Sequence, residues 1–317
     1  MIPRTILGRT GLEITRLGFG TLPMSYMQKD MTPADGAAVI RSALERGVTF
    51  VDTAHSYKTY AHVRKAVEGW PGRVVIATKT QASSYAEAEE HIRYALDGLG
   101  VEKLDIMLLH AHRLEEDVFR QKADVWECLR EYKARGLIRF IGISTHRVGV
   151  VGIAARRDDV DVIHPLINMT GLGLLGGTVA EMTAAIRDAA GRGKGVYAMK
   201  ALAGGHLIER REEAFRFVLG LPGVHAVAVG MVSQAEVDMN CRIFSGESIP
   251  QAERVGTPNT KQLKIVRNHC RGCGACARTC PSGALSIVDG KAAVDPAACV
   301  LCGYCSAACP QFAIRMV

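Results

Sequence analysis

Two runs of cysteines with identical spacing are the residues of this chain most suited to chemistry. The first run reads Cys-x-x-Cys-x-x-Cys-x-x-x-Cys-Pro over residues 270–281, and the second repeats it over residues 299–310. Three thiolates spaced in this way lie on one tight turn, where they can hold three irons of a four-iron, four-sulfur cubane. The fourth iron needs a ligand from elsewhere. The spacing therefore predicts two [4Fe–4S] clusters and a protein that carries electrons.

The duplicated pattern resembles that of the bacterial two-cluster ferredoxins, in which the fourth cysteine of each run binds the other cluster. The resemblance implies one cluster held by Cys270, Cys273, Cys276 and Cys309, and a second held by Cys299, Cys302, Cys305 and Cys280. A pair of zinc sites is the alternative, because Cys-x-x-Cys pairs also bind zinc. A zinc site takes only about two cysteines from each such segment and does not require a duplicated triplet followed by Cys-Pro. The iron–sulfur interpretation is therefore preferred.

The overall composition is that of an ordinary globular protein. With 317 residues, 48% of them hydrophobic and 22% charged, the chain can form one large and one small domain. No stretch approaches the roughly 18 apolar residues of a membrane helix, and Met1–Thr10 has no run resembling a signal peptide. Clustered cysteines without an export signal indicate a reducing cytoplasm, since oxidation would convert the thiolates to disulfides. The basic residues behind the net charge of +7 form no clustered stripe, so we expect no nucleic-acid partner. The lack of a long apolar stretch predicts no membrane partner.

Upstream of the cysteines, strand-like and helix-like segments alternate. The predicted strands are residues 16–20, 48–52, 74–78, 104–110, 139–144, 160–167, 195–199 and 224–230. Eight strands, each followed by a helix, predict an α/β fold, a (β/α)8 TIM barrel, and an N-terminal β-hairpin precedes it. We expect the barrel to occupy residues 1–248, a linker to follow at 249–262, and a small α+β ferredoxin-like dicluster domain to occupy 263–317.

Residues 3–245 resemble the aldo-keto reductases. The motifs that carry the resemblance are ILGRTGLEI (6–14), LGFGT (17–21), FVDTAHSY (50–57), ATK (77–79) and DIMLLH (105–110). The resemblance implies an oxidoreductase acting on a small carbonyl or alcohol substrate. It also implies a catalytic tetrad of Asp52, Tyr57, Lys79 and His110.

These four residue types make chemical sense together. Asp52 and His110 end predicted strands and Lys79 directly follows one, at the end where the active sites of TIM barrels lie, and Tyr57 follows Asp52 by five residues. A tyrosine with an ordinary pKa of about 10 is a poor acid at neutral pH. We therefore expect the Lys79 ammonium to lower the pKa of Tyr57, Asp52 to hold that ammonium in place, and His110 to orient the substrate carbonyl.

The predicted nicotinamide site departs from the family pattern. Ser144 and Thr145 stand where a Ser-Asn pair usually holds the carboxamide, and His164 stands where a Gln is usual. Met199 replaces an aromatic residue that commonly stacks on the nicotinamide ring. The full set implied by the resemblance is Ser144, Thr145, His164, Asn168, Met199, Gly230, Ser233, Glu236 and Asn240.

Glu236 bears on the choice of nucleotide, because it occupies a position where an Arg often binds the adenosine 2′-phosphate. A carboxylate repels a phosphate and suits a free ribose hydroxyl, so we expect NAD(P)H to bind with NADH favoured over NADPH. A flavin is a further candidate cofactor, since hydride transfer moves two electrons and a cubane passes one. The sequence contains no flavin-binding motif.

Three functions remain open at this point. The first is a nicotinamide-dependent carbonyl reductase or alcohol dehydrogenase with an appended ferredoxin module. The second is an enzyme driven by single electrons through the clusters, in which the tetrad delivers protons. The third is a non-catalytic electron-transfer subunit, against which an intact acid–base tetrad argues. A ferredoxin or a flavoprotein is the expected type of redox partner.

Overall fold

The computed structural model describes residues 1–112, 114–250, 262–311 and 313–316. Ten strands lie in the first part of the chain: β1 (Arg4–Ile6), β2 (Glu13–Thr15), β3 (Leu17–Gly20), β4 (Phe50–Asp52), β5 (Val75–Thr80), β6 (Leu104–His110), β7 (Ile138–Thr145), β8 (Val162–Pro165), β9 (Gly195–Ala198) and β10 (Ala226–Gly230). Strands β3 to β10 pair in parallel and close into a barrel of order β10-β3-β4-β5-β6-β7-β8-β9. The predicted TIM barrel is confirmed.

Helices surround the barrel: α1 (Pro33–Glu45), α2 (Tyr60–Val67), α3 (Tyr85–Leu99), α4 (Val118–Gln121), α5 (Ala123–Ala134), α6 (Val148–Ala155), α7 (Val179–Gly191), α8 (Arg211–Gly220) and α9 (Gln234–Phe244). Local sequence explains where several begin. The Thr32 side chain accepts a hydrogen bond from the Asp35 backbone nitrogen at the start of α1, and Thr178 and Glu181 form a capping box at α7. Within the described residues, no helix is both long and apolar enough to cross a membrane.

The hairpin β1–β2 closes the end of the barrel at which the strands begin. Leu7 and Ile14 are fully buried and pack against inward-facing barrel residues such as Phe50 and Tyr197. Gly8 lies against the start of β9, where an added Cβ would come within 2.5 Å of the Gly195 nitrogen. The opposite end, where the strands finish, is therefore the end left available for a site.

The cysteine-rich segment forms two small sheets and two short helices. Strand β11 (Leu263–Ile265) pairs with β14 (Ile314–Met316), and β12 (Leu285–Val288) pairs with β13 (Lys291–Val294), both antiparallel. Helix α10 (Ala275–Thr279) begins just after the second cysteine of the first run, and helix α11 (Tyr304–Ala307) begins just after the second cysteine of the second run. Most of the predicted linker, residues 251–261, lies outside the described residues, so the domain boundaries stay a prediction.

The loop of residues 299–304, which we call the docking loop, contacts the barrel at the end where its strands finish. An added Cβ on Gly204 would lie 2.0 Å from the backbone oxygen of Val300, and one on Gly303 would lie 2.5 Å from the backbone oxygen of Met27. Both glycines have positive φ, at +72° and +83°. The His206 ring also hydrogen-bonds the Cys299 backbone oxygen at 2.7 Å. The dicluster segment thus packs on the mouth of the barrel.

Candidate active site

The structure brings the four residues of the predicted tetrad together at the barrel mouth. Asp52 and His110 are the last residues of β4 and β6, and Lys79 is the penultimate residue of β5. Tyr57 ends the short helical turn that follows β4. All four are buried, and Asp52, Tyr57 and His110 line one cavity.

Lys79 and Asp52 form a buried ion pair. The Lys79 Nζ lies 2.7 and 2.6 Å from the two carboxylate oxygens of Asp52 and 2.8 Å from the backbone oxygen of Thr53. These three acceptors match the three hydrogens of an ammonium. The Tyr197 hydroxyl donates a further hydrogen bond to Asp52 at 2.8 Å. Burial lowers the pKa of Lys79, and Asp52 acts in the opposite direction. The ammonium is consequently held in one place beneath the site.

Tyr57 retains its phenolic proton in this environment. Burial, followed by the neighbouring Tyr304 and Asp52, raises its pKa well above 10. The Lys79 Nζ lies 5.2 Å from the centre of the Tyr57 ring. The expectation that Lys79 lowers the pKa of Tyr57 is wrong in this structure, because desolvation of the phenolate outweighs the attraction. Tyr57 is a neutral donor that can release its proton only toward a group gaining negative charge.

His110 is a neutral imidazole with an unexpected partner. Burial lowers its pKa well below 6.5, and His112 and Lys79 lower it further. Its Nε2 lies 3.3 Å from the hydroxyl of Tyr304, which also hydrogen-bonds Tyr57. Tyr304 belongs to the docking loop, between two cysteines of the second run. The tetrad and the dicluster segment therefore share one hydrogen-bond network.

A cavity of about 640 Å³ extends from the tetrad along the barrel mouth. This volume falls within the range of about 300–1,000 Å³ typical of ligand pockets. Of the predicted nucleotide-binding residues, the cavity is lined by His164, Met199, Gly230, Ser233 and Glu236. The other four, Ser144, Thr145, Asn168 and Asn240, do not line it. The Asn168 amide, for example, hydrogen-bonds Thr170 and Leu172 of its own loop.

Near the tetrad, His164 presents a polar atom suited to a carboxamide. His164 Nδ1 lies 2.6 Å from the Tyr197 backbone oxygen, which can only accept, so the hydrogen is on Nδ1 and Nε2 is left as an acceptor. Burial lowers the pKa of His164 to about 4, which keeps the ring neutral. The Ser144 hydroxyl is buried without a hydrogen-bond partner among the described residues. The His164 acceptor fits a nicotinamide carboxamide, whereas Ser144 lies outside the cavity lining and Met199 offers no aromatic face.

Thiols of the two cysteine runs lie close to one another in the structure. Burial raises the pKa of Cys305, and the nearby thiols of Cys302, Cys299, Cys280 and Cys276 raise it further. Burial likewise raises the pKa of Cys276, whose neighbouring thiols are Cys270 and Cys309. Cys280 and Cys309 thus each lie near thiols of the other run, and the full assignment of four cysteines to each cluster stays a prediction.

The donor set fits iron–sulfur clusters better than single metal ions. Backbone N–H groups of Ala292 and Ala313 donate to the sulfurs of Cys270 and Cys309 at 3.2 and 3.3 Å, and such bonds stabilise thiolates. Among the described residues, no three His, Cys, Asp or Glu side chains are close enough to bind one metal ion. Thiolates that bind four different irons stand further apart than the ligands of one zinc. Cys273 is exposed, whereas the cysteines of the docking loop are buried.

Comparison with known proteins decides the family. The aldo/keto reductase family matches residues 16–217, which is more than half of the chain. The chain belongs to the aldo/keto reductase family. A 4Fe-4S dicluster domain matches residues 269–313, so this aldo-keto reductase carries an iron–sulfur module.

The relatives are distant. An aldo-keto reductase of Mycolicibacterium vanbaalenii is 29% identical over 154 residues, which cover 45% of this chain and 54% of the relative. The L-galactose dehydrogenase of Arabidopsis thaliana is 25% identical over 218 residues, which cover 64% of this chain and 66% of that protein. The chain therefore spans between half and two thirds of the length of these curated relatives. A solved structure of an aldo-keto reductase from Pseudomonas aeruginosa superposes with a TM-score of 0.67 at 24% identity, covering 77% of this chain and 95% of that one, and shows the same fold.

At the far end of the cavity, Glu236 has a structural task in this aldo-keto reductase. Its carboxylate accepts a hydrogen bond from the Val232 backbone nitrogen at 2.7 Å, and its own backbone nitrogen donates to Ser233 at 3.2 Å. Together these bonds cap the start of α9. Arg211 is also close enough to Glu236 to be attracted by it. The net negative charge at this end of the cavity is therefore smaller than the sequence alone indicates.

Sequence reasoning missed Tyr304 and Tyr197 in the aldo-keto reductase site. Tyr197 faces the barrel interior, whereas its neighbours Val196 and Ala198 pack in the outer core, so the two-residue period of β9 was a signal for it. Tyr304 had no such signal, since cysteine spacing shows which residues bind a cluster but not which face of the module packs on the barrel.

Proposed function

We propose that this aldo-keto reductase interconverts a carbonyl and an alcohol on a small molecule and exchanges the electrons through two [4Fe–4S] clusters. The tetrad of Asp52, Tyr57, Lys79 and His110 supplies the acid–base chemistry, and the eight cysteines of the two runs bind the clusters. The main support is the hydrogen-bond network in which Tyr304, from the docking loop, joins Tyr57 and His110. When bound, the clusters supply electrons one at a time, whereas a nicotinamide supplies a hydride.

The protein's own residues account for the proton on the substrate oxygen; the hydrogen on carbon would arrive with both electrons as the hydride of a bound nicotinamide. In the direction of reduction, the substrate oxygen gains negative charge and Tyr57 donates its proton to it. The Lys79 ammonium, fixed by Asp52 and Thr53, stabilises the phenolate that remains. His110 is neutral and orients the oxygen through Nε2.

The same proposal covers the layout and setting of the chain. A barrel over residues 1–248, a linker over 249–262 and a dicluster domain over 263–317 would agree with the two family matches. We place the protein in the cytoplasm, because thiolate ligands survive in a reducing compartment.

A second candidate function dispenses with the nicotinamide. Val300, Leu301 and Tyr304 of the docking loop line the same cavity as the tetrad, which favours direct exchange between the dicluster domain and the substrate. Anaerobic titration of the cluster-loaded protein with NADH and with NADPH, followed by visible and EPR spectroscopy, separates the two functions. Reduction of the clusters by either nucleotide supports the first. Reduction by dithionite but by neither nucleotide, with no nucleotide binding, makes the second the better account.

If a nucleotide binds, Glu236 is expected to favour NADH over NADPH by roughly 1–3 kcal/mol, about 5- to 150-fold in affinity, because its carboxylate repels a 2′-phosphate. Glu236→Arg should improve NADPH binding, measured by isothermal titration calorimetry. Glu236→Gln is the matched control, because its amide oxygen can still accept from Val232 and keep the helix start. Glu236→Gln should lose the preference for NADH and keep its fold. Equally tight NADPH binding by the wild type, Glu236→Arg and Glu236→Gln would contradict a repulsive role for the Glu236 carboxylate.

We also propose that an acidic redox protein exchanges electrons at the exposed face around Cys273. Arg267, Arg271 and Arg278 are exposed beside this cysteine run. Arg271→Glu should slow electron exchange with an acidic ferredoxin severalfold at low salt, and added salt should reduce the difference, as expected for steering between opposite charges. Stopped-flow absorption measures the rate. Arg187→Glu, an equal charge change on α7, should have little effect, and equal slowing by both variants would contradict a defined face.

A further inference from the structure

Tyr304 occupies an unusual place, since it belongs to the dicluster domain but faces the barrel's cavity. Its neighbours along the chain, Cys302 and Cys305, belong to the second cysteine group. Its side chain meets Tyr57, and the two tyrosines pack with Met27 in one small apolar cluster. Its ring stacks on His112 with 5.0 Å between ring centres and 13° between planes.

The backbone around Tyr304 is held as firmly as the ring. Gly303 adopts a φ of +83°, and its Cα lies so close to Met27 that an added Cβ would be 2.5 Å from the Met27 oxygen. Gln28 donates to the backbone oxygen of Cys302 at 3.3 Å. Tyr304 therefore has little freedom to swing out of the mouth.

The hydroxyl of Tyr304 lies where the proposed reaction needs a hydrogen-bonding group. It is 3.3 Å from His110 Nε2 and hydrogen-bonds Tyr57, the two groups assigned above to the substrate oxygen. All three side chains line the same cavity, so Tyr304 adds a group to its wall and leaves the space open. A substrate oxygen that reaches Tyr57 and His110 also comes within reach of Tyr304.

We propose that Tyr304 is a fifth substrate-contacting residue, contributed by the dicluster domain, whose hydroxyl hydrogen-bonds the substrate oxygen together with Tyr57 and His110. The inference rests on the proposed function for the position of that oxygen. It makes the site composite: the turn that carries two ligands of the second cluster also contacts the substrate. A barrel without the docked domain would have an incomplete site.

Calorimetric binding of two probes to the cluster-loaded protein tests this proposal without requiring turnover. The probes are 4-nitrobenzyl alcohol, which has the oxygen, and 4-nitrotoluene, which lacks it. Tyr304→Phe keeps the ring that stacks on His112, and it should weaken binding of the alcohol about 3- to 10-fold, the range for one lost neutral hydrogen bond. Binding of the hydrocarbon should not change. Iron content of about eight per chain confirms that the variant is loaded.

The matched control is Tyr132→Phe, which loses a part-buried hydroxyl that bonds Glu89 away from the mouth. It should leave both affinities unchanged. The double variant Tyr57→Phe with Tyr304→Phe should show non-additive effects on alcohol binding. Its loss of affinity should differ from the product of the two single losses, because the two hydroxyls share one oxygen.

Three outcomes would overturn the proposal. Equal weakening of both probes would mean that Tyr304 only supports the shape of the cavity. Tighter alcohol binding in Tyr304→Phe would mean that the hydroxyl competes with the substrate. Equal affinity of the wild-type protein for the two probes would mean that no group there binds the oxygen. The proposed function fails separately: a protein that binds the alcohol through Tyr304 but neither oxidises nor reduces it keeps this inference and loses that function.

Discussion

Replacement of Tyr57 by phenylalanine is expected to lower turnover of a carbonyl probe such as 4-nitrobenzaldehyde by a factor on the order of 10² to 10⁴. The reason is the loss of the proton donor that the proposed function assigns to the substrate oxygen, a phenol that burial keeps protonated. Substrate affinity should change far less than turnover, because proton transfer takes place only in the transition state. Steady-state kinetics under anaerobic conditions, with NADH or reduced methyl viologen as the electron source, separates kcat from KM.

A buried tyrosine nearby provides the control. Tyr60 is as well buried as Tyr57, but its hydroxyl bonds Thr78 at 2.7 Å. Tyr60→Phe should reduce stability modestly and leave turnover close to that of the wild type. If Tyr57→Phe, with its clusters intact, behaves in the same way, the tetrad has no part in the mechanism.

Exchange of cysteines in pairs is expected to show which thiols share a cluster. If each cluster takes its fourth ligand from the other run, Cys270→Ala with Cys309→Ala removes two ligands of the same cluster, and about four of the eight irons remain. Cys270→Ala with Cys280→Ala then removes one ligand from each, and both clusters become unstable. Iron analysis and EPR of the reconstituted proteins distinguish the pairs.

The chain contains a suitable control in its two remaining cysteines. Cys128 and Cys241 are buried in the barrel, and burial raises the pKa of both thiols to about 11, so neither is a ready ligand. Cys128→Ser with Cys241→Ser should keep about eight irons. Should the pair Cys270 and Cys280 retain four irons while the pair Cys270 and Cys309 loses all of them, each run binds its own cluster and the crossed assignment is wrong.

The fold was largely predictable because its signals are local. Turn residues and apolar runs marked all eight barrel strands, and Thr32 marked the start of α1. The cysteine spacing pointed to the module that the family match bears out. The convergence of Asp52, Lys79 and His110 followed from their strand ends, a rule that holds for any parallel barrel.

Other properties depend on contacts between distant parts of the chain. The pKa of Tyr57 was misjudged because the sequence shows the lysine but not the degree of burial. Tyr304 is 247 residues from Tyr57 along the chain, and only the docked arrangement brings them together. The sequence also did not show that the Glu236 carboxylate accepts a hydrogen bond from the Val232 backbone nitrogen and so caps a helix as well as lining the cavity.

The two close glycine contacts of the docking loop bear on how such a fusion could arise or be rebuilt. Gly204 of the barrel contacts the backbone of Val300 in the dicluster domain, and Gly303 of the dicluster domain contacts the backbone of Met27 in the barrel. A Cβ at either glycine would collide with that backbone. A ferredoxin module grafted onto another barrel of this family would meet a steric barrier unless both positions lacked a side chain. The barrel and the dicluster domain therefore cannot be exchanged independently of each other. Recombination that preserves function must inherit the loop after β9 and the second cysteine run as a matched pair.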